Sequence, residues 1–347
     1  MKKLSWFNKI VYVCNILLAL LTFVGYALPF LAPKAFPILS VLTLGLPFLL
    51  TLNILFFFYW LLQVRKQIFL SGLVLLIGIG FVSKWYKFSA DKLPEADEDF
   101  VLMSYNVRLF NKYKWLDNDS VLPSIKNIVK EENPDIMCFQ EFSDVGENQF
   151  NGFKYSYLYY VDSRKSLGQA IFSKYPIINK GVIEFENSNN HIIFADIVKQ
   201  KDTLRVYSMH LQSMSITRDV EEIDNELDKQ KSERIIKKIS QAFSQQQQQA
   251  TELAEHQDNC NYPIIICGDM NNSAFSYVYR VVKGNLNDAF EQAGGGFGKS
   301  YRFKYFPMRI DYIFSDKSIK VKEFKTFNKH QLSDHYPIKA RLEFVKE

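Results

Sequence analysis

Cysteine is scarce in this chain of 347 residues. The four present, Cys14, Cys138, Cys260 and Cys267, have no paired spacing of the kind that holds a metal. Cys14 lies in an apolar run, and Cys138 and Cys267 lie in apparent core strands. Buried free thiols are expected, not a disulfide framework. Acidic residues are missing from positions 1–83, whereas 91–347 has the mixed composition of a soluble domain. A strong charge bias is missing too. The net charge of +5 neither demands nor excludes a polyanionic partner, and no single basic run forms a nucleic-acid stripe.

Long apolar runs are present instead. Ile10 to Leu31 and Ile38 to Val64 carry no charge, and each reaches the ~20 residues a spanning helix needs. Arg65-Lys66 follows, then a third, shorter run, Ile68 to Val82. A cleavable leader has one short apolar core, so three tandem runs exclude it. Residues 1–88 are read as transmembrane helices, three in number, residues 89–99 as a linker, and 100–347 as a catalytic domain. Lys2, Lys3 and Lys9, with Arg65 and Lys66, place the N-terminus and the second loop in the cytoplasm. Three spans then put the large domain on the extracytoplasmic, periplasmic side of a multi-pass membrane protein. Two spans would leave it cytoplasmic.

In the large domain, short apolar runs end on polar residues. Phe100 to Tyr105 runs into Asn106, Asp135 to Gln140 into Glu141, and Leu204 to Ser208 toward His210. Ile264 to Cys267 runs into Gly268, Asp269, Met270 and Asn271. Such branched stretches bounded by Pro and Gly read as buried strands. Residues two apart on a strand point the same way, so Asp269 and Asn271 converge at a sheet's lip. Trp115 to Asn133 and Ile216 to Phe243 have helical spacing, the latter with Ile223, Leu227, Ile235, Ile236, Ile239 and Phe243 on one face. Gln245 to Gln249 is a solvated continuation or a loop. Many strands with few helices build a sheet sandwich with helices outside.

Asn106, Glu141, His210, Asp269, Asn271, Asp334 and His335 therefore recur at strand ends, with Asp311 inside a strand. This set suits phosphate-ester hydrolysis. Glu141 can hold Mg²⁺, which keeps several waters. Asp311 can orient the His335 ring, whose other nitrogen then activates water. Asn106 and Asn271 can donate to phosphate oxygens as charge builds. His210 can contact the phosphate or protonate the leaving oxygen.

SYNVR (104–108), CFQE (138–141), GQAIFSKYPI (168–177), SMHLQS (208–213), GDMNN (268–272), RIDYIF (309–314) and SDHYPI (333–338) occur in an order that resembles the endonuclease/exonuclease/phosphatase superfamily. The resemblance covers about residues 98–345. It implies a deoxyribonuclease I-like fold: a four-layer α/β/β/α sandwich, here preceded by an all-α transmembrane segment. It also implies Mg²⁺ as cofactor, with Mn²⁺ as a substitute. Glu141 matches the metal-binding glutamate, and Asp334 an aspartate near the metal. His335, Asp311, His210 and Asp269 match catalytic positions, and Asn106 and Asn271 phosphate-contacting ones. Arg108 departs from abasic-site members, which carry an acid there. Either His335 or Asp269 can be the general base.

Aromatic and basic residues interleave at 110–115, 153–160 and 301–306. They suit single-stranded nucleic acid or a lipid-headgroup interface. The first expectation is a membrane-anchored hydrolase of phosphate esters, with lipid or inositol phosphates as candidate substrates. The alternatives are a tethered nuclease and a non-catalytic binding protein on the same fold. No obligate protein partner is implied.

Overall fold

The computed structural model describes residues 4–90, 92–214 and 229–345. By compactness the chain divides into two units. One comprises Met1–Trp85, Met214–Gln247 and Ser273–Arg280; the other comprises Tyr86–Ser213, Gln248–Asn272 and Val281–Glu347.

In the first unit, α1 (Trp6–Ala27), α2 (Pro37–Val41), α3 (Leu46–Leu62), α4 (Ile68–Ile77) and α5 (Ile79–Trp85) bury a polar seam beside an apolar cluster of Leu46, Leu50 and Val74 and turn many large apolar side chains outward. Asn8, Asn15 and Thr22, seven residues apart on α1, form one buried seam. Asn8 donates to Gln63 Oε1 (2.7 Å), Asn15 donates to Ser71 Oγ (2.9 Å), and Thr22 Oγ1 accepts from Asn53 (2.8 Å). Leu17, Leu21, Val24, Leu55 and Phe58 face outward. Two segments, Trp6–Phe30 and Pro37–Leu62, are long and apolar enough to cross a membrane. The third apolar run breaks at Gly78, where α4 and α5 bend by 69°; the bent pair counts as a third span only if taken as one. A Cβ on Gly78 would overlap Tyr26, whose hydroxyl donates to Val74 O (3.0 Å). Lys2 and Lys3, used above for orientation, lie outside the described residues.

Segments distant in sequence complete this unit. On α6 (Val121–Glu132) the apolar face belongs to the other unit, but on α7 (Lys229–Asp258) Ile235, Ile239 and Phe243 pack with Val41 and Leu44. Phe275 sits among Tyr26, Leu46, Leu50 and Val74, and Arg280 Nε donates to Pro29 O (3.0 Å). Ile223 and Leu227, expected on the same helix face, and the expected helix start at Ile216 lie outside the described residues; Ile236, also expected on that face, is exposed, because adjacent helical residues lie about 100° apart and Ile235 takes the inner position. The helix runs through the glutamine tract. Gln246 and Gln249 are buried rather than solvated, because helical spacing puts them on the face of Leu253.

The second unit is the α/β sandwich. Its strands are β1 (Phe100–Asn106), β2 (Ile136–Phe142), β3 (Tyr155–Tyr160), β4 (Gly168–Ser173), β5 (Ile177–Glu184), β6 (His191–Lys199), β7 (Asp202–His210), β8 (Ile264–Asp269), β9 (Asn287–Asp288), β10 (Asp311–Ser315), β11 (Ile319–Thr326) and β12 (Ile338–Phe344). Two six-stranded sheets form, ordered β11-β12-β1-β2-β4-β3 and β5-β6-β7-β8-β10-β9. The β1–β2 and β7–β8 pairs are parallel, which makes both sheets mixed. Leu102, Cys138 and Ile171 of one sheet meet Ile193, Val206, Ile265 and Ile313 of the other, an apolar layer between the sheets. Outside the first sheet, α6 packs Val121, Ile125 and Val129 on Met103, Met137 and Phe139. Outside the second, His256 of α7 meets Phe194 and Tyr207.

The segment before β1 is fastened to this unit. Asp99 binds Lys322 Nζ (2.7 Å) and Arg341 Nη1 (2.6 Å), and all three side chains are buried. Burial opposes the Asp99 charge, but hydrogen bonds from Lys322 and Arg341 outweigh it and lower the pKa below its ordinary value. A depressed carboxylate contributes stability that is complete above its unfolded pKa and is lost as pH falls through the folded one. Asp99→Asn should therefore cost about 3 kcal/mol at neutral pH. The loss should begin to shrink below about pH 4, where the unfolded carboxylate protonates, and vanish once pH falls through the depressed folded pKa. Denaturant unfolding at both pH values checks this; a pH-independent loss would place the effect elsewhere.

Candidate active site

Strand register assembles the site. Glu184 pairs with His191, His191 with His210, His210 with Asp269, and Asp269 with Asp311. Paired residues share a face, and residues two positions along, Ile193, Cys267 and Ile313, lie between the sheets. The row thus lines the inner rim of the second sheet. On the first sheet, Asn106 ends β1 beside Gln140, and Glu141 follows in a bulge at φ +49°. Bulges re-aim side chains at sheet rims.

Asn106 bridges the two sheets. Its amide donates to Glu141 Oε1 (3.2 Å) and Asp269 Oδ2 (3.0 Å). The Asn271 amide donates to Asp269 Oδ2 (3.2 Å) and Leu211 O (2.9 Å), and its backbone N–H to Asp269 Oδ1 (2.8 Å). Both amides expected to face a phosphate are thus turned onto a carboxylate.

His335 Nδ1 reaches both Asp311 oxygens (3.2 and 3.0 Å), while its Nε2 lies 3.5 Å from Asp269 Oδ2. Burial alone would lower the His335 pKa, but the charges of Asp311 and then Asp269 raise it well above its ordinary value. The Asp269 pKa is pushed up to about 7, mainly by burial, against the pull of His335. Both shifts favour the protonated form of each group, and His335 Nε2 faces Asp269 across 3.5 Å. His210 lies 3.8 Å from both Glu141 and Asp269, and burial lowers its pKa to about 3, so its ring is neutral. Glu141 keeps 29% of its side chain exposed. Its pKa is nevertheless raised, through desolvation and the like charge of Asp334. Asp334 meets Arg108 Nη1 at 3.4 Å.

Among the described residues, Asp269, Asp311 and His335 bring three ligand atoms within 4.8 Å of one another. Both Asp311 oxygens already accept from His335, so this trio works as a carboxylate–imidazole chain. Glu141 and Asp334 differ, being neighbouring carboxylates of one sign. That electrostatic deficit fits a divalent cation.

Beneath the rim runs a buried polar chain. Gln140 donates to Ser208 Oγ (2.8 Å), Ser208 to Gln169 Oε1 (2.9 Å), and Gln169 to His191 O (2.6 Å). Gly268, at φ +124°, passes so close to Met209 that a Cβ would overlap its backbone carbonyl. Only glycine fits there, immediately before Asp269.

All eight residues expected from sequence lie at this rim, Asp334 reaching it beside Arg108. His191, Glu184 and the glutamine–serine chain were missed. His191 is buried and neutral, its pKa lowered to about 4 by burial. Its Nδ1 faces Asn189 O (3.2 Å), and its Nε2 has no hydrogen-bond partner among the described residues. Alternation through Ile193, Ala195 and Ile197 could have placed His191 on the inner face.

The profile of the Endonuclease/Exonuclease/phosphatase family matches residues 103–335, and a domain of unknown function, DUF8431, matches residues 8–85. No curated protein matches in sequence. Solved structures share the fold. The human Nocturnin catalytic domain with bound sulfate aligns with TM-score 0.53 and 15% identity, over 74% of this chain and 97% of its own. An endonuclease/exonuclease/phosphatase family protein from Bacteroides thetaiotaomicron gives 0.51 and 19%, over 72% and 96%. D. rerio TDP2 complexed with single-strand DNA product gives 0.51 and 17%, over 71% and 100%.

Proposed function

The chain belongs to the endonuclease/exonuclease/phosphatase family, and on that premise we propose a membrane-anchored, Mg²⁺-dependent hydrolase of phosphate esters acting on lipid or inositol-type headgroups. The observation that carries the reading is the single rim where Asn106 joins Glu141 to Asp269 while Asp311 holds His335 against that same Asp269. A divalent cation at Glu141 and Asp334 would neutralise phosphate oxygens and the leaving group. Asp311 fixes the His335 ring by accepting its Nδ1–H. Either His335, through a deprotonated Nε2, or Asp269 takes the proton of the attacking water. His335 Nε2 and Asp269 Oδ2 lie 3.5 Å apart, so both groups face the same point of the site. Asn106, Asn271 and neutral His210 donate to the phosphoryl oxygens as charge builds.

The membrane part of the reading is supported by the helical unit, whose buried polar seam accompanies outward leucines such as Leu17, Leu21 and Leu55. Tethering raises effective concentration toward membrane-borne substrates. Lys9, Arg65 and Lys66 support an extracytoplasmic catalytic domain where the bent pair counts as a third span; with two spans the same charges leave it cytoplasmic. A nuclease is the second reading, favoured by the DNA product bound to the TDP2 neighbour. A substrate panel on the full chain in detergent separates the two. Soluble inositol phosphodiesters should turn over at least about tenfold faster than plasmid or single-stranded DNA, a difference of ~1.4 kcal/mol in barrier. The reverse order would replace the lipid reading with the nuclease one. The full chain is needed because Phe275 and Phe243 pack within the helical unit.

A further inference from the structure

Arg108 is not used by the hydrolytic reading above. Its guanidinium lies over the Trp115 ring, 4.7 Å from the centroid, and touches Asp334 Oδ2 through Nη1 alone at 3.4 Å. That contact is long and single, whereas a saturated arginine–carboxylate pair is two-pronged and near 2.8 Å. With 32% of its side chain exposed, Arg108 keeps donors turned to solvent beside the phosphate site.

The backbone is built to hold it there. Arg108, Leu109, Phe110 and Asn111 have φ of 43°, 55°, 55° and 60°, and none is glycine. Each residue in that region costs about 1 kcal/mol or more, so surrounding contacts must enforce it. Phe110 does so by packing on Phe139, Phe142 and Phe150. Asn111 does so by donating to Leu116 O (2.8 Å) and accepting from Leu116 N (2.9 Å), which closes the loop carrying Trp115.

On its own loop, the charge around Arg108 suits one discrete anion, with Arg302 of the 301–306 segment meeting Asp334 through its backbone N–H (2.7 Å). Lys112 is paired with Asp144 (2.7 Å) and Lys114 with Asp119 (3.9 Å), so no track of cations leads away from it along this loop. A polynucleotide needs such a track. We propose that Arg108, held flat on Trp115, receives a second phosphate carried by the substrate close to the scissile one. The ligand class is a compact phosphodiester with an additional phosphate on its alcohol. The proposal rests on the hydrolase reading above and adds a specificity residue to it.

The test uses the full chain in detergent with Mg²⁺ and four probes: bis(p-nitrophenyl) phosphate, glycerophosphoinositol, glycerophosphoinositol 4-phosphate and a short single-stranded DNA. Wild type should favour the 4-phosphate over glycerophosphoinositol by about 30-fold in kcat/KM, chiefly through KM, as a charge-assisted contact allows. Arg108→Gln should erase that ratio, Arg108→Lys should restore part of it, and Trp115→Leu should lower it with Asp334 untouched. No preference in wild type, or a preference that survives in Arg108→Gln, overturns the proposal. So does faster cleavage of the DNA that depends on Arg108, since that would assign Arg108 to a strand. Failure on bis(p-nitrophenyl) phosphate as well would remove the hydrolase reading itself, and this proposal with it.

Discussion

His335→Ala is expected to lower phosphodiester turnover by about a thousandfold, within the range for losing a positioned acid–base group. The loss should appear in kcat, because the ring handles a proton that moves only as the bond to water forms. Asp311→Asn should approach the same loss. It leaves the ring in place but removes the carboxylate that fixes Nδ1–H and raises the His335 pKa. The fold should survive both changes, since His335 sits at the rim and the apolar layer between the sheets does not include it. Stopped-time assays on purified protein, with circular dichroism to confirm folding, check this. Turnover within tenfold of wild type in both variants would take the proton-handling role away from this pair.

Glu141→Gln is the second large effect. Glutamine keeps the shape and can still accept from Asn106, but it loses the charge that would hold a cation. Activity should fall by about a thousandfold, equivalent to ~4 kcal/mol of transition-state charge stabilisation. Thermal stability should stay level or rise, because the wild-type carboxylate is held with a raised pKa beside Asp334. Activity loss with a retained or higher Tm is a signature that general unfolding cannot mimic. A matched fall in both would make Glu141 structural.

The strand ends were readable because apolar runs stop abruptly at polar residues, and two-residue alternation fixes which side each faces. That logic reached Asn106, Glu141, His210 and Asp269. It could not reach the row itself. Glu184 and His191 join the row only through β5–β6–β7 register, and pairing partners are set by tertiary contacts. The hydrogen bonds that turn Asn106 and Asn271 onto Asp269 were invisible for the same reason. Amphipathic spacing showed that Ile235, Ile239 and Phe243 need cover, but not that Val41 and Leu44 supply it. Asp99 looked like one more solvated acid in a polar linker. Only the fold reveals that Lys322 and Arg341 bury it. The break at Gly78 was hidden inside an uninterrupted apolar run, since hydropathy does not register a bend.

The central claim is metal-dependent phosphodiester hydrolysis at the rim that joins Glu141, Asp269, Asp311 and His335. Its most direct test is turnover of bis(p-nitrophenyl) phosphate by the full chain, first stripped with a chelator and then resupplied with Mg²⁺. The account predicts activity that disappears on stripping and returns with Mg²⁺, or with Mn²⁺ in its place, but does not return in Glu141→Gln. Activity that persists undiminished in chelator would contradict it.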